Sequence, residues 1–451
     1  MTMAADKQDK VLNFSSEQEQ SGACSSSAER EKNQGKNFLN VPNKREQSQT
    51  CLNSAERAGL RPKGNVPTLR FPEFSGEWLA TTIDGVTSEF QSGKFIKADL
   101  IQSKGSVPVY GGNGLRGYTD TYNHIGDYVL IGRQGALCGN VRFVTGETYI
   151  TEHAIAVKGT EDNDTKYLQY LFERMNLGQY SDQSAQPGLA VSKLIKLKIT
   201  IPPKREQSKI ARLLTVIDER ITTQIRIIED LKSERKFLLE QLFCLPKEHT
   251  PKLRLKGMTG DWYKVRLYDI VERITERNKA NTCSRVLTIA AQYGLIDQQE
   301  FFNKQIASSD LTTYYYLLHK GDFAYNKSYS GDYPWGAVKR LDNYNEGVLS
   351  SLYVCFRPNG NVDSDFLCHY FESTKWYRGI SEISGEGARN HGLLNMSVDD
   401  YFNTIHRIPS LEEQRQISTM LNTIVQKIKI EESIIDKLQK QKSYLLKEMF
   451  V

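Results

Sequence analysis

The chain has 451 residues, of which 39% are hydrophobic and 25% are charged, and its formal net charge is +5. These values are typical of a globular protein with two or three domains, and they exclude a uniformly basic surface. No run of eighteen apolar residues occurs and the N-terminus is polar, so we expect no membrane span, no export and a cytoplasmic location. The seven cysteines form no C-x-x-C pair, which argues against a disulfide framework and a structural zinc site.

The first 65 residues are rich in Ser, Gln, Glu, Lys and Asn and show no periodic apolar pattern. This composition predicts a disordered N-terminal extension. Ordered structure is expected from Val66 onwards.

Two stretches, 201–243 and 408–450, carry apolar residues at alternating steps of four and three, which is the seam of a coiled coil. They align without a gap, since Glu413 follows Glu206 by 207 positions. Each stretch predicts a helix about 60 Å long. In the first stretch the seam consists of Ile210, Leu214, Ile217, Ile221, Ile228, Leu231, Leu238 and Leu242.

The segments before the two halves are also repeated. VPTLRFPEFSGEW at 66–78 returns 184 positions later as TPKLRLKGMTGDW at 250–262. The offset grows to 207 at the helices, so the second half holds 23 more residues in its middle. We therefore predict a tandem duplication with shared ends and diverged middles. Each middle is a glycine-broken, β-rich stretch followed by a short amphipathic helix, at 166–175 and 365–374.

These patterns together predict an α+β fold in which two tandem-repeated domains are joined by two long antiparallel coiled-coil helices about a pseudo-twofold axis. The expected boundaries are 1–65 for the extension, 66–200 for the first domain, 201–245 for the central helix, 246–407 for the second domain and 408–451 for the C-terminal helix.

Gly112, Gly114 and Gly117 match the dinucleotide-binding pattern G-x-G-x-x-G, but turn and strand residues follow where that pattern needs a helix. We interpret the stretch as a glycine-rich loop that can approach the backbone of a ligand. The sequence holds no phosphate-binding P-loop, no H-E-x-x-H and no amino-methyltransferase motif. Glu152-His153 places a histidine beside a carboxylate, and a surface or core role is favoured over a catalytic one.

Side chains suited to base edges and phosphates concentrate in IGRQG of the first half and in NKSYS of the second. Arg fits guanine O6 and N7, and Asn or Gln fits adenine N6 and N7. Judged alone, either stretch is equally consistent with a polar turn between strands; the duplication favours DNA contact. The candidate DNA-binding residues are Asn113, Arg116, Arg133, Gln134, Asn140, Asn326, Lys327, Tyr329, Ser330 and Lys339.

The paired leading segments, the paired helix starts PPKREQSKIARLL and PSLEEQRQISTML, and the middles GRQGALCGN and YNKSYSGDYPWGAVKRL resemble the specificity subunits of type I restriction-modification systems. The resemblance covers residues 66–450. It implies two target-recognition domains that each read half of a split sequence in double-stranded DNA, and a helical spacer that docks two methyltransferase subunits. It also implies a chain that is not an enzyme and binds no metal or cofactor, because partner subunits bind S-adenosylmethionine for adenine methylation and ATP-Mg for translocation and DNA cleavage.

Three alternatives remain open. A methylation-only complex would have the same specificity subunit and no nuclease partner. A coiled-coil scaffold would show no DNA binding with or without partners. An enzyme acting alone would bind S-adenosylmethionine by itself.

Overall fold

The computed structural model describes residues 64–135, 137–182, 188–291, 293–302, 312–328, 333–385 and 392–451. The expected disordered extension lies outside these ranges apart from Gly64 and Asn65, and so do the candidate residues Tyr329 and Ser330. Helices and strands both contribute to the fold, which confirms the predicted mixed class. None of the helices in the described ranges combines the length and the apolar character that a membrane span needs.

The strands of the described residues are short. In the first half they are β1 Leu79–Thr82, β2 Thr87–Ser92, β3 Val107–Gly111, β4 Gly114–Thr119, β5 His124–Ile125, β6 Tyr128–Gly132, β7 Val141–Val144, β8 Glu147–Ile150, β9 Ala154–Gly159 and β10 Lys198–Ile201. In the second half they are β11 Tyr263–Arg266, β12 Val271–Arg273, β13 Leu287–Ala290, β14 Gly294–Asp297, β15 Tyr316–His319, β16 Phe323–Asn326, β17 Ala337–Arg340, β18 Glu346–Leu349, β19 Val354–Pro358 and β20 Ile405–Ile408.

Two helices are much longer than the others. The helices are α1 Ile83–Val86, α2 Thr165–Met175, α3 Val191–Leu194, α4 Lys204–Leu242, α5 Leu267–Ile270, α6 Gln298–Phe302, α7 Ser364–Glu372, α8 Tyr377–Ile383, α9 Val398–Phe402 and α10 Leu411–Glu448, with short 3-10 helices at Ala98–Leu100 and Leu177–Tyr180. We call α4 the central helix and α10 the C-terminal helix.

Both halves are built on the same frame. Leu79 of β1 pairs with Ile201 of β10, and Tyr263 of β11, 184 positions later, pairs with Ile408 of β20, 207 positions later. Each half also contains a four-stranded sheet of equivalent order, β2-β9-β6-β7 and β12-β19-β16-β17. The sequence repeat therefore corresponds to a repeat of strand pairing.

The remaining strands differ between the halves. The first half adds a four-stranded sheet of order β4-β3-β8-β5, whereas the second half adds the two-stranded pairs β13-β14 and β15-β18. These strands come from the middles that the sequence offset marks as diverged. The two halves therefore present different surfaces on a common frame.

The long helices begin three residues later than predicted. Ile201 and Ile408 are the last residues of β10 and β20, where strand pairing fixes an extended backbone. The central helix then starts directly after Pro203, and Ser410 caps the C-terminal helix by accepting a hydrogen bond from the Glu413 N–H at 3.4 Å.

The two long helices pack against each other in opposite directions. Gln224, near the middle of the central helix, donates a hydrogen bond to Glu431, and Asp218, nearer its start, lies 2.8 Å from the Lys442 ammonium, near the end of the C-terminal helix. On the other side of the Gln224–Glu431 contact, toward the end of the central helix, the shared seam buries Ile228, Leu231 and Ile428. Apolar side chains that pack into one another in this way hold coiled-coil helices in register.

At both ends the helices leave each other and enter the cores of the two halves. Phe450, at the end of the C-terminal helix, stacks on Tyr167 of α2 in the first half at 5.3 Å between ring centroids. Phe243, at the end of the central helix, packs on Phe366 of α7 in the second half at 5.2 Å. Each core therefore combines the start of one long helix with the end of the other.

A buried ion pair fixes each leading segment to a helix start. Arg70 lies 2.7 Å from Glu206, and Arg254 lies 2.8 Å from Glu413, and both carboxylates are buried. Each arginine also donates to two backbone carbonyl oxygens of its own turn. Each glutamate lies in the first turn of its helix, where the helix dipole favours a negative charge, and the arginine is its second favourable partner. Removing either arginine would leave a buried carboxylate without its counterion.

Candidate nucleic-acid interface

The glycine-rich stretch of the first half is the turn between β3 and β4, as its sequence predicted. Gly114 has a φ of 108°, which side-chain-bearing residues rarely adopt. A Cβ atom at Gly112 would lie only 2.7 Å from the carbonyl oxygen of His153, so only glycine permits this approach. The exposed Asn113 stands at the tip of the turn.

The loop after β6 is fixed next to this turn. The Arg133 N–H donates to the His153 carbonyl oxygen at 2.9 Å, and the Arg133 carbonyl oxygen accepts from Leu189 N at 2.9 Å. The side chains are also linked, because His153 Nδ1 lies 3.2 Å from Gln134 Oε1 and His153 Nε2 lies 3.1 Å from Glu152 Oε1. Three loops distant in sequence therefore meet at one surface.

This surface carries three guanidinium groups. The Arg116 side chain lies against Gly111, and a Cβ atom at Gly114 would be 3.1 Å from Arg142 Nη2. Together with Arg133, these side chains have no ion-pair partner among the residues that the structure describes. Unpaired guanidinium groups beside a narrow turn are suited to phosphate oxygens and to guanine edges.

Asn140 lies apart from this cluster. It lines a cleft with Glu173 of α2 and Lys442 of the C-terminal helix. Burial opposes the charge on Lys442, but the Glu173 and Asp218 carboxylates raise the pKa of this ammonium above its usual value. Asn140 therefore faces the helix side of the domain, away from Arg133 and Gln134.

In the second half, Asn326 is the last residue of β16, and Lys327 begins a turn that hydrogen bonds hold in place. Asn326 Oδ1 accepts a hydrogen bond from Ser328 N at 2.9 Å, and the Lys327 carbonyl oxygen accepts from Leu394 N at 3.0 Å. The Lys327 ammonium has no ion-pair partner among the described residues. This turn occupies the position that Arg133 and Gln134 hold in the first half, directly after the equivalent strand β6.

Lys339, another predicted contact of the second half, lies beside α7. Its ammonium lies 2.5 Å from Glu372 of α7, and its side chain is 12% exposed. Burial would raise the pKa of Glu372, but the Lys339 and Arg235 cations hold it below its usual value. Lys339 is thus engaged in an ion-pair network with α7 and the central helix.

Sequence reasoning missed several residues at these surfaces. Arg142 and His153 lie in the first cluster. The pairing of Glu152 with His153 was a usable signal. No local pattern marks Arg142, whose position depends on which strands become neighbours.

Comparisons with known proteins agree with this architecture. Residues 76–233 match the family model of the type I restriction modification DNA specificity domain. The EcoprrI type I restriction enzyme specificity subunit of Escherichia coli is 40% identical over 169 residues, which cover 37% of this chain and 42% of that protein. A protein of Haemophilus influenzae assigned as a type I restriction enzyme specificity subunit, S.HindORF215P, is 24% identical over 346 residues, which cover 73% of this chain and 82% of that protein.

A solved structure supports the fold over a longer range. The type I restriction-modification S subunit from M. genitalium superposes with a TM-score of 0.57 at 17% identity, covering 86% of this chain and 99% of that one. The first half thus carries a DNA specificity domain on a frame found in restriction-modification proteins. Over residues 76–233 the chain is therefore similar to type I restriction-modification specificity subunits, and it covers less than half of the length of the relative that is 40% identical.

Proposed function

We propose that this chain selects the DNA sequence for a type I restriction-modification complex by reading a split target, one half with each repeat. The observation that carries the proposal is the shared frame with different additional sheets. A common frame presents its loops in equivalent positions, and different loops allow two unrelated half-sites to be read.

In the first half, Arg133, Gln134, Asn113 and Arg116 would contact DNA. Gln134 is held by His153, so its amide meets a base edge with little loss of conformational freedom. In the second half, Asn326 and Lys327 would act together with Tyr329 and Ser330. The ion pair of Lys339 and the helix-side position of Asn140 argue against direct base contact by these two residues.

The antiparallel helix pair would act as a spacer of fixed length. Duplex DNA presents equivalent grooves in twofold-related orientations, so two similar reading domains must be inverted relative to each other. Inverted domains at the two ends of a tandem repeat require helices that run in opposite directions. The paired end contacts of Phe243 and Phe450 support such a pseudo-twofold arrangement.

The chain would be the non-catalytic component of the complex. Adenine methylation would be performed by two docked methyltransferase subunits that bind S-adenosylmethionine, and DNA cleavage by a subunit that uses ATP-Mg. Within the described residues there is no cluster of three or more His, Cys, Asp or Glu side chains that could hold a metal ion. Whether the complex cuts DNA or only methylates it depends on the partners.

The proposal is tested by mapping methylated adenines across the genome in cells with and without the gene. We expect a split motif that disappears with the gene and returns on complementation. The purified chain should transfer no methyl group by itself and should confer the motif only with its methyltransferase partner. Methyl transfer by the isolated chain, or a methylation map that does not depend on the gene, would overturn the proposal.

A further inference from the structure

A polar cavity lies in the second half, where the two long helices meet α7 and the end of β17. Its volume is about 690 Å³, which is within the usual range for small-molecule sites. Charged side chains from each of these elements line it. The cavity is therefore open to the question of whether its charges are balanced within the chain.

The carboxylates that line the cavity are each neutralised by a cation of this chain. None of them is left to balance a further positive charge. The ion-pair distances are 2.7 Å from Asp342 to Arg340, 2.6 Å from Asp365 to Arg340, 2.5 Å from Glu372 to Lys339 and 2.8 Å from Glu432 to Lys232.

Two cations of the lining have no such partner. Arg235 Nη1 lies 3.7 Å from Glu372 Oε2, which Lys339 already neutralises. The buried Arg235 Nε has no hydrogen-bond acceptor in the part of the chain that the structure describes. The exposed Lys429 has no ion-pair partner among the described residues either. Two positive charges at the cavity therefore lack a negative counterpart.

The histidine of the lining does not change this balance. Asn422 Nδ2 donates to Asp365 at 2.8 Å, so Asn422 Oδ1 accepts from His369 Nε2 at 2.9 Å. The other ring nitrogen, Nδ1, lies 3.4 Å from Arg235 Nη2 and accepts from it. Burial lowers the pKa of His369, so the ring is neutral and leaves the charge of Arg235 uncompensated.

The first half shows how the equivalent cation is balanced when the chain does it alone. Lys442 follows Arg235 by 207 positions, and its ammonium lies 2.9 Å from Glu173 and 2.8 Å from Asp218. The counterpart of Asp218 in the second half is Val425, which lines the cavity. The second half thus keeps the cation and lacks the second carboxylate.

The unbalanced charges select the kind of anion that fits. Lys429 adds a charge that the first half lacks, since its counterpart Thr222 is uncharged. One guanidinium and one ammonium group together match the nearly two negative charges of a phosphate group, whereas a carboxylate would balance only one of them. Arginine and lysine N–H groups form charge-assisted hydrogen bonds with phosphate oxygens.

We propose that this cavity binds the phosphate group of a small molecule, either free phosphate or a phosphate monoester. The phosphate group would lie between Arg235 and Lys429, in the place that the Asp218 carboxylate occupies beside Lys442 in the first half. DNA reading is not needed for this binding. Because Arg235 belongs to the central helix and Lys429 to the C-terminal helix, the bound group links the two long helices beside α7 and stabilises the folded chain.

The test is isothermal titration of the full chain in a phosphate-free buffer, with inorganic phosphate, ribose 5-phosphate and ribose as probes. At least one phosphate compound should bind at one site per chain and raise the melting temperature, and ribose should not bind. Tighter binding of inorganic phosphate would assign free phosphate as the ligand, and tighter binding of ribose 5-phosphate would assign an ester. Saturable binding of neither phosphate compound would overturn the proposal.

The decisive variant restores the missing carboxylate. Val425→Asp gives the second half the acid that the first half has, and it should weaken phosphate binding by at least about tenfold. Val216→Asp, the same change at an exposed position of the central helix, is the matched control and should keep the wild-type affinity. Wild-type affinity in Val425→Asp would contradict the proposed site.

Removal of the cation gives a second, independent measurement. Arg235→Gln should also weaken phosphate binding by at least about tenfold, whereas Arg226→Gln, the same change at an exposed position of the same helix, should not. Circular dichroism should show that all four variants are folded, and Val425→Asp decides the question if Arg235→Gln is not. An equal loss in both members of either matched pair would show that phosphate follows general positive charge, and would overturn the proposal.

Discussion

At the scale of single residues, Arg133 and Gln134 are held in place by a third residue, His153. Their loop is held through its backbone by His153 and through the Gln134 side chain by the same histidine. A glycine-flanked loop without such contacts would lose conformational entropy when two long side chains are held against DNA. The hydrogen bonds to His153 reduce that loss, and for this reason we favour this loop over Asn140 for base contact.

Replacement of Arg133 by Ala should weaken specific DNA binding by about 1 to 3 kcal/mol, because the proposed bidentate contact with a base edge would be lost. Methylation mapping should show relaxed discrimination in one half-site only. Asn140→Ala, in the helix-side cleft of the same domain, should leave the motif unchanged. Unaltered selectivity in a folded Arg133→Ala variant would contradict the assignment.

His406 predicts a pH dependence of stability. Burial lowers the pKa of its imidazole to about 4, with Nδ1 2.8 Å from the Tyr370 hydroxyl and Nε2 2.8 Å from the Thr404 hydroxyl. The pKa in the unfolded chain is about 6.5, so the unfolded chain binds a proton first as the pH falls. The stabilisation by the neutral imidazole is therefore fully present above about pH 6.5. It is lost as the pH falls toward 4, and the total loss in the free energy of unfolding is about 3 kcal/mol.

Urea unfolding at pH 7 and at pH 5 measures this loss. The His406→Gln variant should lose less stability between these two pH values than the wild type does. His249→Gln, the same change of residue type at an exposed site, is the matched control. An equal loss of unfolding free energy between pH 7 and pH 5 in wild type and His406→Gln would show that another group causes the acid sensitivity.

At the scale of elements, the long helices are both spacer and core. The seam between them is continuous only in the middle, and its two ends are covered by α2 and α7. Each half is therefore completed by a helix end that comes from the other half of the chain. Lys442 and Arg235 follow the same rule, since they leave the seam and pair with Glu173 and Glu372.

Phe450→Ala should destabilise the first half although it lies at the end of the second. The buried ring stacks on Tyr167, and a phenylalanine-to-alanine change at such a site costs about 3 to 5 kcal/mol. Amide exchange should accelerate in α2 more than in α7. Tyr444→Ala, an exposed residue in the same helix, is the control and should change stability by less than about 1 kcal/mol. Faster exchange confined to the second half would refute this account.

At the scale of the whole molecule, the spacer length depends on both long helices at once. Because each helix contacts both halves, lengthening one alone would pull its end out of a core. A change of helix length that leaves both cores intact must be made in the middle of the helix pair, where Gln224 meets Glu431. A change made there in both helices preserves every contact at the two ends.

A seven-residue insertion after Gln224 and another after Glu431 should lengthen the spacer by about 10 Å while keeping the seam in phase. The unread gap between half-sites should grow by roughly three base pairs, and the bases at either end should stay the same. Methylation mapping of the variant tests both statements. The single insertion after Gln224 is the control, and it should lower stability because the helix lengths no longer match. An unchanged gap in the double-insertion variant would exclude the spacer model.

The sequence by itself determined the repeat, the two long helices and the short helices α2 and α7. Their signals are local: apolar periodicity, proline at the helix starts, and segments that recur at fixed offsets. The seam residues from Ile210 to Leu242 could be identified because a heptad pattern specifies one face of a helix without reference to the rest of the chain. The candidate loop at Arg133 was identified by its glycines and its side-chain chemistry.

The tertiary structure decided which of those side chains share a surface. Antiparallel pairing of β6 and β7 returns Asn140 to Gly132, whose N–H donates to its carbonyl oxygen at 2.8 Å, and Asn140 lines the cleft beside the C-terminal helix, whereas the Arg133 backbone meets His153. In the second half Lys339 pairs with Ala324, two positions before Asn326, and its ammonium contacts Glu372 of α7. Strand order and direction depend on pairing between distant segments, and no residue-by-residue pattern encodes that pairing. For the same reason, only the folded chain brings Leu69 to Glu448, whose carbonyl oxygen accepts the Leu69 N–H at 2.8 Å.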